Sequence, residues 1–312
     1  MDRDAHQHDG GGAHTGGGKM RRVLVLSWSQ SGQLHQVAHA FAQPFADAGH
    51  EVVYRELKPL EPFPFPWKVT TFFGAFPETV LERPGAIAPV DAPGEWDLVV
   101  LAAQVWFLSP SPPFIAYLTG PDAALLSGRR VVTLVACRNM WVRGWRRLVA
   151  LAQARGALVT DRVVATHSGS VLASYFSTLF WMLTGRRDVV KALPAAGIDA
   201  ATFARVARLG AHAAARIDTP GPLLDDQDCA TISPTHAFGE VIVGAIFPWL
   251  AHAIAAMSRP GSGMRALCAY GMLGFILGAL FTLLLPCTLI RFACRPWIDP
   301  WLEARARLPV VR

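Results

Sequence analysis

VLVLSWSQSGQLHQVAHAF, from Val23 to Phe41, joins an apolar strand to an amphipathic helix through a polar loop. Such a loop directs free backbone N–H groups and the positive end of the helix dipole at one place, which suits an anion. The loop also supplies hydroxyls, amides and one glycine: Ser27, Ser29, Gln30, Ser31, Gly32 and Gln33. Since no carboxylate lies between Val23 and Asp47, the stretch predicts a phosphate site. An ordinary polar turn with Ser31 as the helix N-cap is the alternative.

Two common phosphate motifs are missing from this stretch. A P-loop requires Gly-Lys-Ser/Thr, and the dinucleotide fingerprint requires three spaced glycines. The loop has a single glycine and no lysine. The sequence therefore argues against a P-loop NTPase and against a Rossmann NAD domain.

Short β-branched runs recur along the chain with helical stretches between them, which predicts a doubly wound parallel α/β sheet. The five predicted strands are Val23 to Ser27, Val52 to Glu56, Leu98 to Ala103, Val131 to Ala136 and Val163 to Thr166. The predicted helices are Leu34 to Gly49, Arg143 to Arg155, Val171 to Thr184 and Ala200 to Ile217. Pro44 predicts a bend or an early end of the first helix.

The composition separates the chain into unequal parts. Of the 312 residues, 52% are hydrophobic and 17% are charged, and the apolar excess lies towards the C-terminus. We expect residues 1–19, which are rich in Gly and His, to form a disordered tail without a metal site. The five cysteines have no metal-binding or redox spacing. The net charge of +6 suits the binding of anionic lipid or phosphate. The sequence shows no basic helix of the kind that would indicate nucleic-acid binding.

The loops after the third and fourth strands carry aromatic side chains. In an open α/β sheet the ligand lies outside the carboxyl ends of the strands. These two loops, with the serine loop, therefore predict FMN binding, and Trp106 and Trp141 are expected to flank the flavin ring. The predicted ring-binding residues are Trp106, Phe107, Ser109, Cys137, Arg138, Asn139, Met140 and Trp141.

The serine loop resembles the phosphate loop of flavodoxin-like proteins through Ser29, Ser31 and Gly32. That resemblance implies a five-stranded sheet in the order 2-1-3-4-5. Leu34 departs from the pattern, because many flavodoxins have a further hydroxyl there. The departure removes one phosphate donor and leaves the backbone site.

Taken further, the chain resembles the flavodoxin-like proteins of dialkylresorcinol biosynthesis, called dialkylresorcinol condensing enzymes. The stretches that carry this resemblance are SQSGQL, PFPFPW, FFGAFPETVL, WFLSPSPP, CRNMW and FWMLTGRRD, together with the apolar C-terminal region. The resemblance implies an FMN-dependent oxidation of an alkylated cyclohexanedione to a resorcinol, and a ketosynthase as a partner.

The sequence also contains candidates for the catalytic base. His167 is the predicted base and Glu78 a weaker candidate. A condensing enzyme would instead need an activated cysteine, which Cys137 with Asn139 and His167 only imitates. A flavodoxin-type electron carrier is the second hypothesis for function, although carriers present an acidic rim. A membrane-bound protein that has lost the cofactor is the third.

The Pro/aromatic insert at 60–80 is predicted to be a lid over the flavin or a packed loop, within a flavodoxin-like domain at 20–218. A linker at 219–237 and membrane-associated helices at 238–294 follow, with a basic tail at 295–312. Val241 to Met257 and Ala266 to Ile290 are expected to form a membrane hairpin at the cytoplasmic face of the cell membrane. Arg259 and Arg265 would lie in its outer turn. A shallow interfacial arrangement is the alternative.

Overall fold

The computed structural model describes residues 19–166, 171–188, 195–224, 229–230 and 233–307. Residues 1–18 of the predicted tail at 1–19 and the predicted base His167 lie outside these residues. The strands are β1 (Arg22–Ser27), β2 (Glu51–Glu56), β3 (Leu98–Trp106), β4 (Ser109–Pro110), β5 (Arg130–Cys137) and β6 (Leu158–Thr166). The first five helices are α1 (Gln33–Asp47), α2 (Val69–Phe72), α3 (Phe76–Val80), α4 (Pro112–Thr119) and α5 (Val142–Gln153). The others are α6 (Val171–Thr184), α7 (Ala200–Ala215), α8 (Pro234–Met257), α9 (Gly263–Ala293) and α10 (Arg295–Ala306).

The parallel sheet has the order β2-β1-β3-β5-β6, and the short β4 folds back antiparallel on β3. Apart from β4, this is the predicted flavodoxin-like order, with the switch point between β1 and β3. Alternate β1 side chains enter different cores: Leu24 and Leu26 face one, Val23 and Val25 the other. The fold places the carboxyl ends of β1, β3 and β5 side by side.

The predicted helix bounds need small corrections. α6 has the predicted bounds, whereas α5 ends two residues before the predicted Arg155. α1 continues through Pro44 to Asp47, so Pro44 does not end the helix early. Its buried stripe includes Leu34, Val37, Phe41 and Phe45, and burial of this face sustains the helix across the proline.

The chain after α7 stays attached to the sheet. Leu223 and Leu224 are buried, and their N–H groups donate to the buried carboxylate of Asp161 at 2.8–3.0 Å. The Val164 N–H donates to the carbonyl of Cys229. These described parts of the predicted linker are therefore tied to β6.

The N-terminal half of α8 is fixed to the domain by a buried carboxylate. Glu240 is 3% exposed and accepts hydrogen bonds from the backbone N–H groups of Val142 and Arg143, at the start of α5. A helix start leaves these N–H groups without partners inside the helix, and it favours negative charge. Glu240 therefore acts as the cap that α5 lacks among its own residues.

The turn between α8 and α9 is fixed to the domain as well. Arg265 is 4% exposed and pairs with Glu78 at 2.7 Å. It also donates to the carbonyl of Gly74 and to the hydroxyl and carbonyl of Ser258. Glu78, the weaker base candidate, is therefore occupied in joining the insert to α9.

The turn of the predicted membrane hairpin packs on the insert through Arg265, and insertion of its helices into a bilayer stays a prediction. In the described part of the chain, α8 alone is long and apolar enough to span a bilayer, but a buried core helix passes the same test. Glu240 and the Arg265 turn hold both ends of α8 on the flavodoxin-like domain. The outer surface of the C-terminal helices, which we call the outer face, remains apolar. It exposes Trp249, Leu267, Tyr270, Leu289, Phe292 and Trp297.

We expect the Glu240 cap to make stability depend on pH. Burial raises the pKa of Glu240 from 4.5 to about 7, against the lowering by the two N–H donors. The unfolded chain therefore ionises first, and the stability present below pH 4.5 is lost as the pH rises to about 7. In thermal melts, Glu240→Gln should abolish a decline on the order of 2–3 kcal/mol.

The exposed carboxylate of Glu303 on α10 provides the matched control, Glu303→Gln, which should keep the wild-type pH profile. A wild-type profile in Glu240→Gln would show that the buried carboxylate does not set this dependence.

Candidate functional site

The loop between β1 and α1 forms a concave group of backbone donors, which we call the anion cradle. Gly32 precedes α1 with φ +79°, and a side chain there would meet no atom within 4 Å. Among the described residues, no acceptor pairs with the backbone N–H of Ser31 or Gly32. A left-handed residue beside a helix start gathers N–H groups into a concave anion site. The cradle therefore retains the donors that a phosphate group requires.

The predicted serine side chains of the loop have different contacts. The Ser27 hydroxyl bonds to Nδ1 of His35, and Nε2 of His35 contacts Glu56, so Ser27 is buried away from the cradle. Ser29 accepts the N–H of Leu34 and orders the first turn of α1. Of the three predicted serines, only Ser31 lines the neighbouring cavity, as far as the chain is described.

The two glutamines of the loop tie it to other segments. The Gln30 amide donates to the carbonyl of Pro64 at 3.0 Å and accepts from the indole N–H of Trp67, both in the insert. The Gln33 amide exchanges hydrogen bonds with the backbone of Ile198. Gln30 therefore connects the loop to the insert, and Gln33 connects it to the segment before α7.

A cavity of about 410 Å³ opens beside this loop at the carboxyl edge of the sheet. The insert, α6, α8 and α9 surround it, and its walls are mainly aromatic and aliphatic. The sequence-predicted residues in its lining are Ser31, Gln33, Trp106, Phe107, Cys137, Arg138, Asn139 and Met140. The structure therefore brings together the predicted loops after β1, β3 and β5.

The loop after β3 is a tight turn that presents an aromatic ring to the cavity. Phe107 and Leu108 both have positive φ, 49° and 63°, which is rare for side chains other than glycine. Such strain is sustained by the surrounding structure and clusters at functional sites. Phe72, Phe73 and Phe76 contact the Phe107 ring from the insert. The insert therefore forms a wall of the cavity, and the choice between a lid and a packed loop stays a prediction.

The two predicted ring-flanking tryptophans are placed differently. Trp106 lines the cavity and packs edge-on to Trp28 and Phe72. Trp141 is 1% exposed, lies outside the described lining and packs against Trp145 and the guanidinium of Arg162. Because α5 begins directly after it, Trp141 turns into the core beneath that helix. Ser109 is likewise buried in β4, outside the described lining.

The Cys137 side chain lies in the cavity wall, where burial favours the protonated thiol. Burial raises the pKa of Cys137 well above its usual range, and the Glu240 carboxylate adds to this. A condensing enzyme needs a thiolate, which this environment disfavours. Burial therefore disfavours the ionised thiol that the cysteine-nucleophile hypothesis requires.

Several cavity residues were not predicted from the sequence. α6 contributes Thr178 and Trp181, and α8 contributes His236 and Phe247. Burial and the nearby Arg138 charge lower the pKa of His236 from 6.5 to about 4, so its imidazole is neutral at physiological pH. The only sequence signal for His236 was a polar residue shortly before the apolar run that begins at Val241.

Comparisons with known proteins found similarity among solved structures alone. No family model and no curated protein sequence matches the chain. Among solved structures, it is similar to a flavodoxin from the domain Archaea, with 10% identity, a TM-score of 0.36 and coverage of 64% of this chain and 99% of that chain. A flavodoxin, WrbA-like protein from Agrobacterium tumefaciens has 11% identity, a TM-score of 0.37 and coverage of 63% and 97%.

A third similar structure is an NAD(P)H:quinone oxidoreductase from Methanothermobacter marburgensis, with 14% identity, a TM-score of 0.32 and coverage of 62% and 98%. The strand order and the position of the anion cradle carry the fold assignment. They define a flavodoxin-like α/β protein whose C-terminal helices cover the carboxyl edge of the sheet.

The residues present fit a flavin phosphate. The Ser31 and Gly32 N–H groups are available, Ser31 adds a hydroxyl, and the cavity continues from the loop towards apolar walls. Leu34 is 1% exposed and provides no hydroxyl, as the sequence indicated. Backbone donors at a helix start therefore carry the anion site here.

The cradle predicts that Gly32→Ala abolishes flavin binding, because a methyl group on the cradle would occupy the space of the phosphate. Gly49→Ala is the matched control. Gly49 also has positive φ, +86°, and open space, but it follows α1 at the other end of the sheet. Both variants carry a similar backbone cost of about 1–2 kcal/mol.

Flavin absorbance per mole of purified protein is the measurement. Wild type and Gly49→Ala should be yellow, and Gly32→Ala should be colourless. Equal flavin content in the two variants would exclude this loop as the phosphate site.

Proposed function

We propose that the protein is an FMN-dependent oxidoreductase that converts an alkylated cyclohexanedione to a resorcinol. One observation carries the proposal: an anion cradle opens directly into a cavity of about 410 Å³ with mostly apolar walls. FMN has one phosphate for the cradle and a flat ring for the cavity. The resemblance to dialkylresorcinol proteins supports the choice of substrate, and a ketosynthase is the proposed partner.

The chemistry balances as a two-electron oxidation. Aromatising the diketone removes a hydride and a proton from the ring, and bound flavin supplies the hydride acceptor. Dioxygen is the proposed oxidant that regenerates the flavin. The protein orients the ring between aromatic walls and keeps bulk water away from it. His167, the proposed base, lies outside the described residues.

A flavodoxin-type electron carrier is the competing proposal. A carrier exchanges electrons with a protein partner, so its flavin edge must be approachable. Here the insert and α8 both border the carboxyl edge, and their side chains Phe72, Phe73 and Phe247 line the cavity. A covered edge of this kind favours a small-molecule substrate.

We expect the purified, flavin-loaded chain to turn over a dialkylcyclohexanedione in air without any added protein. Formation of the resorcinol, followed by mass spectrometry, together with bleaching of the flavin absorbance when air is excluded, is the expected result. Protein that is yellow but oxidises the diketone only with a second redox protein would support the carrier instead.

We propose that the outer face binds the surface of the cell membrane from the cytoplasmic side. Trp249 and Phe292 are 70% and 76% exposed, and Trp297 is 75% exposed. Arg295 is exposed, follows Phe292 and precedes Trp297 in the sequence, and pairs with Asp299 at 3.3 Å; its guanidinium suits anionic lipid headgroups. Aromatic side chains favour the interface between water and lipid. An alkylated substrate partitions into the same bilayer.

Flotation with vesicles that contain anionic phospholipid tests this placement. The triple variant Trp249→Gln, Phe292→Gln, Trp297→Gln should lose most of its vesicle binding. Leu158→Gln, an exposed apolar residue at the start of β6, is the control and should bind like the wild type. Full binding by the triple variant would contradict the assignment of the outer face.

A further inference from the structure

Two polar side chains in the cavity wall have no hydrogen-bond partner in the described part of the chain. They are His236 on the first turn of α8 and Thr178 on α6. Both ring nitrogens of His236 and the Thr178 hydroxyl are closed off from solvent. An unsatisfied buried polar group costs about 1–3 kcal/mol, so such groups in a folded protein call for a ligand or an ordered water.

The surroundings indicate what kind of ligand would satisfy them. The cavity walls near these elements are apolar, with Leu179, Ile242 and Val243 among the lining residues. A fully polar ligand would lose its hydration there without replacement. A ligand that is mostly hydrocarbon with a few oxygen atoms matches both the walls and the two unpaired groups.

His236 lies beside the end of β5, where the flavin ring is proposed to bind. Its helix neighbour Gly239 lies against Met140, since a Cβ at Gly239 would be 3.7 Å from the Met140 methyl group. Arg138 is near enough to His236 to disfavour its protonated form. A neutral imidazole accepts a hydrogen bond at one nitrogen and donates at the other, so it suits an enol, phenol or carbonyl oxygen.

The geometry points to His236 and Thr178 as the anchors that bind the ring oxygens of an alkylated 1,3-dioxygenated ring. This inference rests on the proposed function for the identity of the ring, and it adds where the ring oxygens bind. The anchors lie on α6 and α8, outside the strand-end loops that form the flavin site. The alkyl chains lie against the apolar walls between α8 and α9.

The test compares two probes of similar size on full-length, flavin-loaded protein at one fixed detergent concentration. The probes are 5-pentylresorcinol and pentylbenzene, which lacks both oxygens, and binding is followed by quenching of tryptophan fluorescence. Wild type should prefer the resorcinol. His236→Leu and Thr178→Val should each reduce that preference by roughly tenfold, the effect of losing one hydrogen bond of about 1.4 kcal/mol.

Matched controls exist on the same helices. His252→Leu alters an exposed histidine of α8. Thr184→Val alters an α6 hydroxyl that already donates to the carbonyl of Phe180. Both controls should keep the wild-type preference, and all four variants should keep the wild-type flavin content, because none of these side chains lies on the phosphate loop.

The outcomes separate this inference from the proposed function. Equal binding of the two probes by wild type would overturn the inference even in an active enzyme, and would indicate that ordered waters satisfy both side chains. An unchanged preference in His236→Leu and Thr178→Val would overturn it too. A preference that these variants lose, in a protein that does not oxidise the diketone, would support the ring site and refute the proposed reaction.

Discussion

The cavity exists because one buried carboxylate holds a hydrophobic helix across the edge of the sheet. Glu240 reaches from α8 to the first two N–H groups of α5, and through this contact α8 becomes part of the flavodoxin-like domain. Phe247 and Ala251 of the same helix then join the core on that side of the sheet. Together with the packing of Phe247 on Phe76 of the insert, the contact covers the strand-end loops, which face solvent in an open doubly wound fold.

The position of α8 over the carboxyl edge of the sheet is obtained at a cost in folding stability. Burial disfavours the charge of Glu240, and the two N–H donors repay only part of that penalty, so its pKa stays raised to about 7. At the other end of α8, the buried Arg265 joins the insert to the α8–α9 turn. Two charged contacts thus position apolar surfaces that would otherwise have several ways to pack, which is a specificity role rather than a stabilising one.

Local sequence patterns predicted the sheet. The position of α8 and the identity of several cavity residues depend on contacts between distant parts of the chain, which local patterns do not reveal. The β1–α1 loop, the strand order and the bounds of α6 follow from periodicity, turn residues and resemblance. Hydropathy could not show that α8 covers the carboxyl edge of the sheet, because a core helix and a membrane span have the same composition. The decisive contact joins Glu240 to Arg143, which lie 97 residues apart. Trp106 and Trp141 looked equivalent as loop aromatics and both are buried, but of the two Trp106 lines the described cavity and Trp141 packs beneath α5. His236 is selected only by the cavity that tertiary packing creates.

The Gln30 side chain, which bonds to both Pro64 and Trp67, has a thermodynamic consequence. These two hydrogen bonds couple the motion of the loop to the motion of the aromatic wall. An anion that orders the cradle lowers the entropy still to be lost when a ring settles against Trp67. Linkage makes the effect reciprocal: the factor by which an anion tightens ring binding equals the factor by which a ring tightens anion binding. The Gln30 amide is therefore one physical link between an anion in the cradle and a ring in the cavity.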